Sequence, residues 1–106
     1  MKVLLDECLP IDFRHSCPGH DVHTTEWAGF KGMKNGKLLR AAEDDGYDVF
    51  LTADQGFPYQ QSTADRRIAV LVLCAVTNKI GDLLPLVPSV ERELSTLKQG
   101  SVILVR

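Results

Sequence analysis

Acids that close apolar runs are the residues best placed to do chemistry in this chain. Val3-Leu4-Leu5 stops at Asp6 and Glu7, and Val49-Phe50-Leu51-Thr52 is followed, after Ala53, by Asp54. A short apolar run bounded in this way reads as a buried strand. Such strands belong to parallel sheets covered on both faces, where ligands gather outside the carboxyl ends of the strands. Asp6 and Asp54 are therefore expected on neighbouring strand ends, facing one crevice. Two carboxylates held close together repel unless a cation neutralises them. Oxygen-only ligands suit Mg²⁺ or Mn²⁺. Either aspartate alone would more simply cap the turn that follows it; the pair favours a cation.

The elements that must position these acids follow from pattern. Pro10 can open a helix, so a short one is expected over Leu9–His15, ended by Pro18-Gly19. His20–Thr25 reads as a second strand, and Glu26–Lys34, with Gly29 and Gly32, as a loop. Asn35 is a good N-cap for a helix carrying Leu38, Leu39, Ala41 and Ala42 at helical spacing, ending near Gly46. Tyr47–Thr52 is the third strand and Gln55–Asp65 a polar loop. Ile68–Ala75, the most apolar run, is expected to be the central strand. Ile80–Leu97 has a helical pattern whose regular part begins at Pro88. Val102–Val105 is the last strand. The alternation predicts a single α/β domain over residues 1–106, with helices on a mostly parallel sheet and right-handed crossovers.

The bulk numbers agree with that scale. A chain of 106 residues, 44% hydrophobic and 25% charged, can build one domain with a modest core. A net charge of −2 means that nucleic-acid binding would have to rest on a local basic patch. Lys31, Lys34, Lys37 and Arg40 form such a cluster beside the expected helix start, where they could meet phosphates or form a solvated face. No apolar run approaches a membrane span, and Asp6 and Glu7 interrupt any signal-peptide core. Three cysteines with no CxxC pair suit a reducing cytoplasm.

Leu5-Asp6-Glu7-Cys8-Leu9-Pro10, Gly19-His20-Asp21-Val22 and Thr52-Ala53-Asp54-Gln55-Gly56-Phe57, in that order, resemble the short bacterial PIN-like proteins. These belong to the PIN superfamily of metal-dependent ribonucleases, which includes the toxins of toxin–antitoxin pairs. The resemblance spans nearly the whole chain. It implies a three-layer α/β domain, a Mg²⁺ or Mn²⁺ pocket and hydrolysis of RNA phosphodiester bonds. Asp6 and Asp54 match the acidic positions, and Glu7 the acid beside the first. The implied partners are RNA and an antitoxin protein, with a second copy of the chain also admitted. In this family asparagine usually stands at Cys8, an acid at Asn35 and often another at Gly56. Asn35 therefore takes a metal-ligand position as a neutral amide. On this reading Asp6, Asp54 and Asn35 hold the metal. Glu7 orients or deprotonates water, and Lys31, Lys34, Lys37 and Arg40 bind RNA.

Two alternatives stay open. One is a degenerate PIN-like protein that binds without catalysis. The other is a phosphoacceptor receiver domain, which also pairs acids after its first strand with an aspartate after its third; Thr77 and Lys79 would then serve the phosphate. Cys17, His20 and His23 make a weak zinc set, because the two histidines should point to opposite faces of one strand. Trp27, Phe30 and Met33 are expected to be buried under their loop, or else to form a patch for a protein partner. Phe57 and Tyr59 are read as loop anchors before base-stacking residues. Arg66 and Arg67 are placed at the opposite end of the sheet from the acids.

Overall fold

The structure, a computed structural model, describes residues 1–57 and 66–106, with the backbone but not the side chain of Asn35. Its centre is a five-stranded sheet in which every pairing is parallel. The strands are β1 (Lys2–Leu5), β2 (Asp21–Thr24), β3 (Val49–Thr52), β4 (Ala69–Leu73) and β5 (Val102–Val105). They lie in the order β2-β1-β3-β4-β5. Strand β1 is thus flanked by β2 and β3, with Leu5 opposite both Thr24 and Leu51. Neither β1 nor β4 lies at an edge, as their unbroken apolar runs require, but the central strand is β3 and not β4, because burial on both faces makes any interior strand apolar without ranking it.

Alternate residues of these strands feed two cores. On one face Val3, Leu5, Val49, Leu51, Leu71 and Leu73 pack with Phe13, Leu83, Val90 and Leu94. On the other, Leu4, Phe50, Val70 and Val72 pack with Leu38, Leu39, Ala42 and Phe57. The first face is covered by a 3-10 helix (Ile11–Ser16), α2 (Ile80–Leu83), a 3-10 turn (Leu84–Leu86) and α3 (Val87–Ser95). The second is covered by α1 (Asn35–Asp44). This is the expected three-layer α/β arrangement.

Helix α1 ends as its sequence demands. Gly46 has φ of 83°, the left-handed conformation that glycine adopts without penalty. Its N–H bonds the Glu43 carbonyl at 3.0 Å, and the Tyr47 N–H reaches back to Ala42 at 2.9 Å. This is a Schellman stop, completed by Tyr47 and Ala42 in the same apolar cluster.

Three expectations need correction. Asn35 is the first residue of α1 rather than its cap; Lys34 holds the cap position and makes no side-chain cap bond. Helical structure begins at Ile80, well before Pro88, because Pro85 and Pro88 each fall in a first turn, where a missing N–H costs nothing. The crossovers cannot all be right-handed. The connections β1→β2 and β4→β5 cover the same face but step in opposite directions across the sheet, so they have opposite hands. The connection β2→β3, through α1 on the other face, shares the hand of β1→β2.

Among the described residues no helix is long and apolar enough to cross a membrane.

Candidate functional site

The switch between outward-stepping strands lies at β1 and β3, and there the chain delivers its acids. Asp6 follows the end of β1, and its N–H bonds the Leu51 carbonyl of β3 at 2.9 Å. That bond extends the ladder by one residue and fixes Asp6 over the crevice. Asp6, Glu7 and Asp54 line one hollow of about 180 Å³ together with Met33, Lys34, Leu38, Phe50 and Phe57. The three acids named from sequence thus meet, and Lys34 joins them.

Asp6 is heavily engaged. Its Oδ1 accepts the Glu7 N–H at 2.8 Å. Its Oδ2 accepts the Thr52 hydroxyl at 2.7 Å and the Cys8 thiol at 3.3 Å. A carboxylate offers about four lone-pair positions, so Asp6 keeps roughly one, on Oδ1. Glu7 and Asp54 are freer. Glu7 Oε1 accepts the Gly32 N–H at 3.0 Å, and Asp54 Oδ1 accepts the Gly56 N–H at 2.9 Å. Their second oxygens, Glu7 Oε2 and Asp54 Oδ2, take no hydrogen bond among the described residues.

The pattern around Asp6 was not foreseen. Thr52 is fully buried, and its hydroxyl does two jobs: it donates to Asp6 and accepts the Asp54 N–H at 3.1 Å. One atom therefore ties the two acid-bearing strand ends together. The available signal was a polar residue closing an apolar strand two residues before an aspartate. Cys8, where the resembled family usually has asparagine, supplies a thiol donor to the same Asp6 oxygen and accepts the Ala53 N–H at 3.3 Å. Burial raises this thiol above its ordinary 9.0, which keeps it protonated and able to donate.

These residues can be tested against a divalent cation. Among the described residues, no group of three His, Cys, Asp or Glu side chains surrounds one metal position. A closed carboxylate cage is therefore not formed by them. Mg²⁺ often uses only one or two carboxylates, with water and substrate phosphate completing its shell. The remaining Asp6 Oδ1 position and Asp54 Oδ2, which takes no hydrogen bond among the described residues, fit that habit. Asn35 starts α1 next to Lys34, but its side chain lies outside the described residues, as does Tyr59.

The basic cluster is divided. Lys34 lines the acid hollow, and Lys31 lines a second hollow of about 290 Å³ that shares Asp6 and Glu7 as its wall. Lys37 and Arg40 are exposed on α1 and line neither hollow. None of the four has an ion-pair partner among the described residues.

Other candidates resolve differently. His23 is engaged by Tyr47 at 2.9 Å and Asp21 at 2.7 Å, while His20 contacts Glu91 and the amino terminus, each at 3.4 Å. Neither points toward a shared zinc. The Thr77 hydroxyl bonds Asp82, and neither Thr77 nor Lys79 lines the acid hollow. Phe57 is a buried anchor against Phe50, with ring centroids 5.8 Å apart. Arg67 does lie at the opposite end of the sheet, in a hollow of about 340 Å³ with Met1, Tyr47 and Asp48. Arg66 instead runs along α1, to the Gly36 carbonyl and Glu43. Only Phe30 of the loop aromatics packs against the core. Trp27 is 68% and Met33 42% exposed, so the expected burial fails for both. The loop is held by its own backbone bonds and by Glu7, and it does not need those side chains inside.

No protein-family model, curated protein or solved structure matches the chain.

Proposed function

We propose that this chain is a PIN-like ribonuclease that hydrolyses RNA phosphodiester bonds with Mg²⁺ or Mn²⁺ at the Asp6–Glu7–Asp54 hollow. The observation that carries the reading is the meeting of three acids from two adjacent strand ends, with Lys34 in the same wall. Asp6 Oδ1 and Asp54 Oδ2 would hold the cation. When bound, it acidifies a water and offsets the charge of the phosphate. Glu7 Oε2 takes the proton of the attacking water, while Oε1 stays on the Gly32 N–H and fixes the side chain. Lys34 and Lys31 orient the phosphates on either side of Glu7. Three unpaired cysteines suit a reducing cytoplasm, and an antitoxin-type protein would silence the site by covering this hollow.

The test is RNA cleavage by the purified chain with Mn²⁺, Mg²⁺ and EDTA in parallel, alongside Glu7→Gln and Asp54→Asn. Cleavage should require the cation, and Glu7→Gln should slow it by about a hundredfold or more. Equal cleavage in EDTA, or by both variants, would contradict the proposal.

One observation favours a second reading, a PIN-like protein that binds RNA without cutting it. Asp6 has lost most of its ligand capacity to Thr52, Cys8 and the Glu7 backbone. RNA binding with no cation-dependent cleavage would select it.

A further inference from the structure

The hollow of about 290 Å³ shares Asp6 and Glu7 with the acid hollow. Beyond those acids its wall comes from the end of β2 and the turn after it, Thr24, Thr25 and Glu26, with Leu9, Ile11 and Lys31. Thr25 is the unusual member. It is only 2% exposed, and its hydroxyl is buried with no hydrogen-bond partner among the described residues. Its N–H bonds the Leu5 carbonyl at 3.1 Å, and its carbonyl accepts the Phe30 N–H at 2.8 Å. Both backbone groups are thus committed, and the side chain is what Thr25 brings to the hollow. The neighbouring Thr24 hydroxyl already accepts the Trp27 N–H at 3.1 Å. A buried hydroxyl without a partner is rare, because it has given up its bonds to water for nothing. A ligand filling the hollow would restore the bond.

The rest of the wall says what that ligand carries. Asp6, Glu7 and Glu26 make it rich in acceptors. Glu26 takes no part in the chemistry above and has no ion-pair partner among the described residues. A phosphate seated inside would face three carboxylates, and a cation would meet Lys31. A neutral ligand with adjacent N–H donors avoids both conflicts. Leu9 and Ile11 offer it an apolar side, and Ile11, 56% exposed, gains cover. Among the RNA bases only guanine presents two adjacent N–H donors, on N1 and N2, beside an acceptor, O6. A carboxylate takes such donors as a bidentate pair, and a hydroxyl can donate to the carbonyl beside them. Adenine and cytosine turn a lone-pair nitrogen toward the carboxylate, and uracil flanks its one N–H with two carbonyls.

We propose that this hollow is a base pocket beside the cation site, in which Glu26 accepts guanine N1–H and N2–H and the Thr25 hydroxyl donates to O6. This rests on the RNA reading given above and adds a base preference next to the scissile phosphate. Lys31, exposed on the same wall, stays with the phosphate that links the base to the acids.

The full chain is titrated in EDTA at low salt with labelled oligouridylate strands carrying one central guanosine, inosine, adenosine or cytidine, and binding is followed by anisotropy. Inosine keeps N1–H and O6 but lacks the N2 amine. Glu26→Gln and Thr25→Val are measured beside the native chain, with thermal melts of all three. The guanosine strand should bind about tenfold or more tighter than the adenosine and cytidine strands, with the inosine strand between them. Both variants should lose most of that preference and keep their affinity for the adenosine strand. Thr25→Val should melt no lower than the native chain, since the hydroxyl it removes has no partner in the free protein. Equal binding of the four strands, or a preference that survives in either variant, would overturn the proposal and leave the RNA reading standing. A lower melting temperature for Thr25→Val would also overturn it, by giving the hydroxyl a structural role. Binding of no strand removes the RNA reading and the pocket together. Guanine preference without cleavage in Mn²⁺ supports the pocket and removes the nuclease reading.

Discussion

Thr52 holds the candidate site together through one neutral hydroxyl. Replacing it by valine keeps the shape and deletes the atom that bridges Asp6 to the Asp54 backbone. The part-buried Asp54 N–H then loses its partner and Asp6 Oδ2 keeps only the Cys8 thiol, at a cost of about 1–3 kcal/mol. Thr52→Val should lower the urea midpoint and weaken Mn²⁺ binding together, and Thr52→Ser should restore both. Stability loss with unchanged Mn²⁺ affinity would separate Thr52 from the site. A second residue reports through pH. Burial, reinforced by the charge of Glu91, pushes the Cys17 thiol from 9.0 up to about 11. The folded state keeps that proton while the unfolded chain releases it. Stability is therefore unaffected by Cys17 below pH 9 and falls between pH 9 and about 11. Urea melts across that window should show a shallower decline for Cys17→Ala than for the native chain. Parallel declines would contradict the shift.

Elements were legible where one physical requirement dominated. The strands β1 and β4 could be read because a doubly covered strand must be apolar on both faces, and little else makes such runs. The end of α1 could be read from Gly46. Its φ of 83° meets no neighbouring atom within 4 Å, so a side chain there would face only backbone strain. Gly46→Ala should cost about 1–2 kcal/mol, checked by thermal or urea melts. No loss would mean that the left-handed stop is not formed. Elements were misread where two requirements agreed on the residue. Proline suits both a break and a first turn, so Pro85 and Pro88 hid the helical turns before them. Trp27 and Met33 are apolar, which predicts burial, yet backbone bonds and Gly32 already close their loop. Nothing in composition then decides which way those side chains face.

At the scale of the whole molecule, the site is a product of strand order. Asp6 and Asp54 are far apart in the chain and meet only because β1 and β3 are neighbours. Alternating elements made a parallel sheet readable, with its strand ends on one side. The hand of the last crossover was not, because the side taken by α3 depends on packing with Phe13 and Cys17, distant in sequence. The bonds that occupy Asp6 were equally hidden, since they depend on Cys8 and Thr52 meeting across that same strand pair. The consequence is an acid hollow whose first carboxylate is largely spoken for, so cation binding has to lean on Asp54. The most direct measurement is a calorimetric Mn²⁺ titration of the native chain beside Asp54→Asn, without RNA. One saturable site is expected in the native chain. In the variant its affinity should fall about tenfold or more, as loss of a charged contact of roughly 1.5–3 kcal/mol requires. Absence of a binding isotherm in the native chain, or equal affinity in the two proteins, would contradict a divalent-cation site at these strand ends.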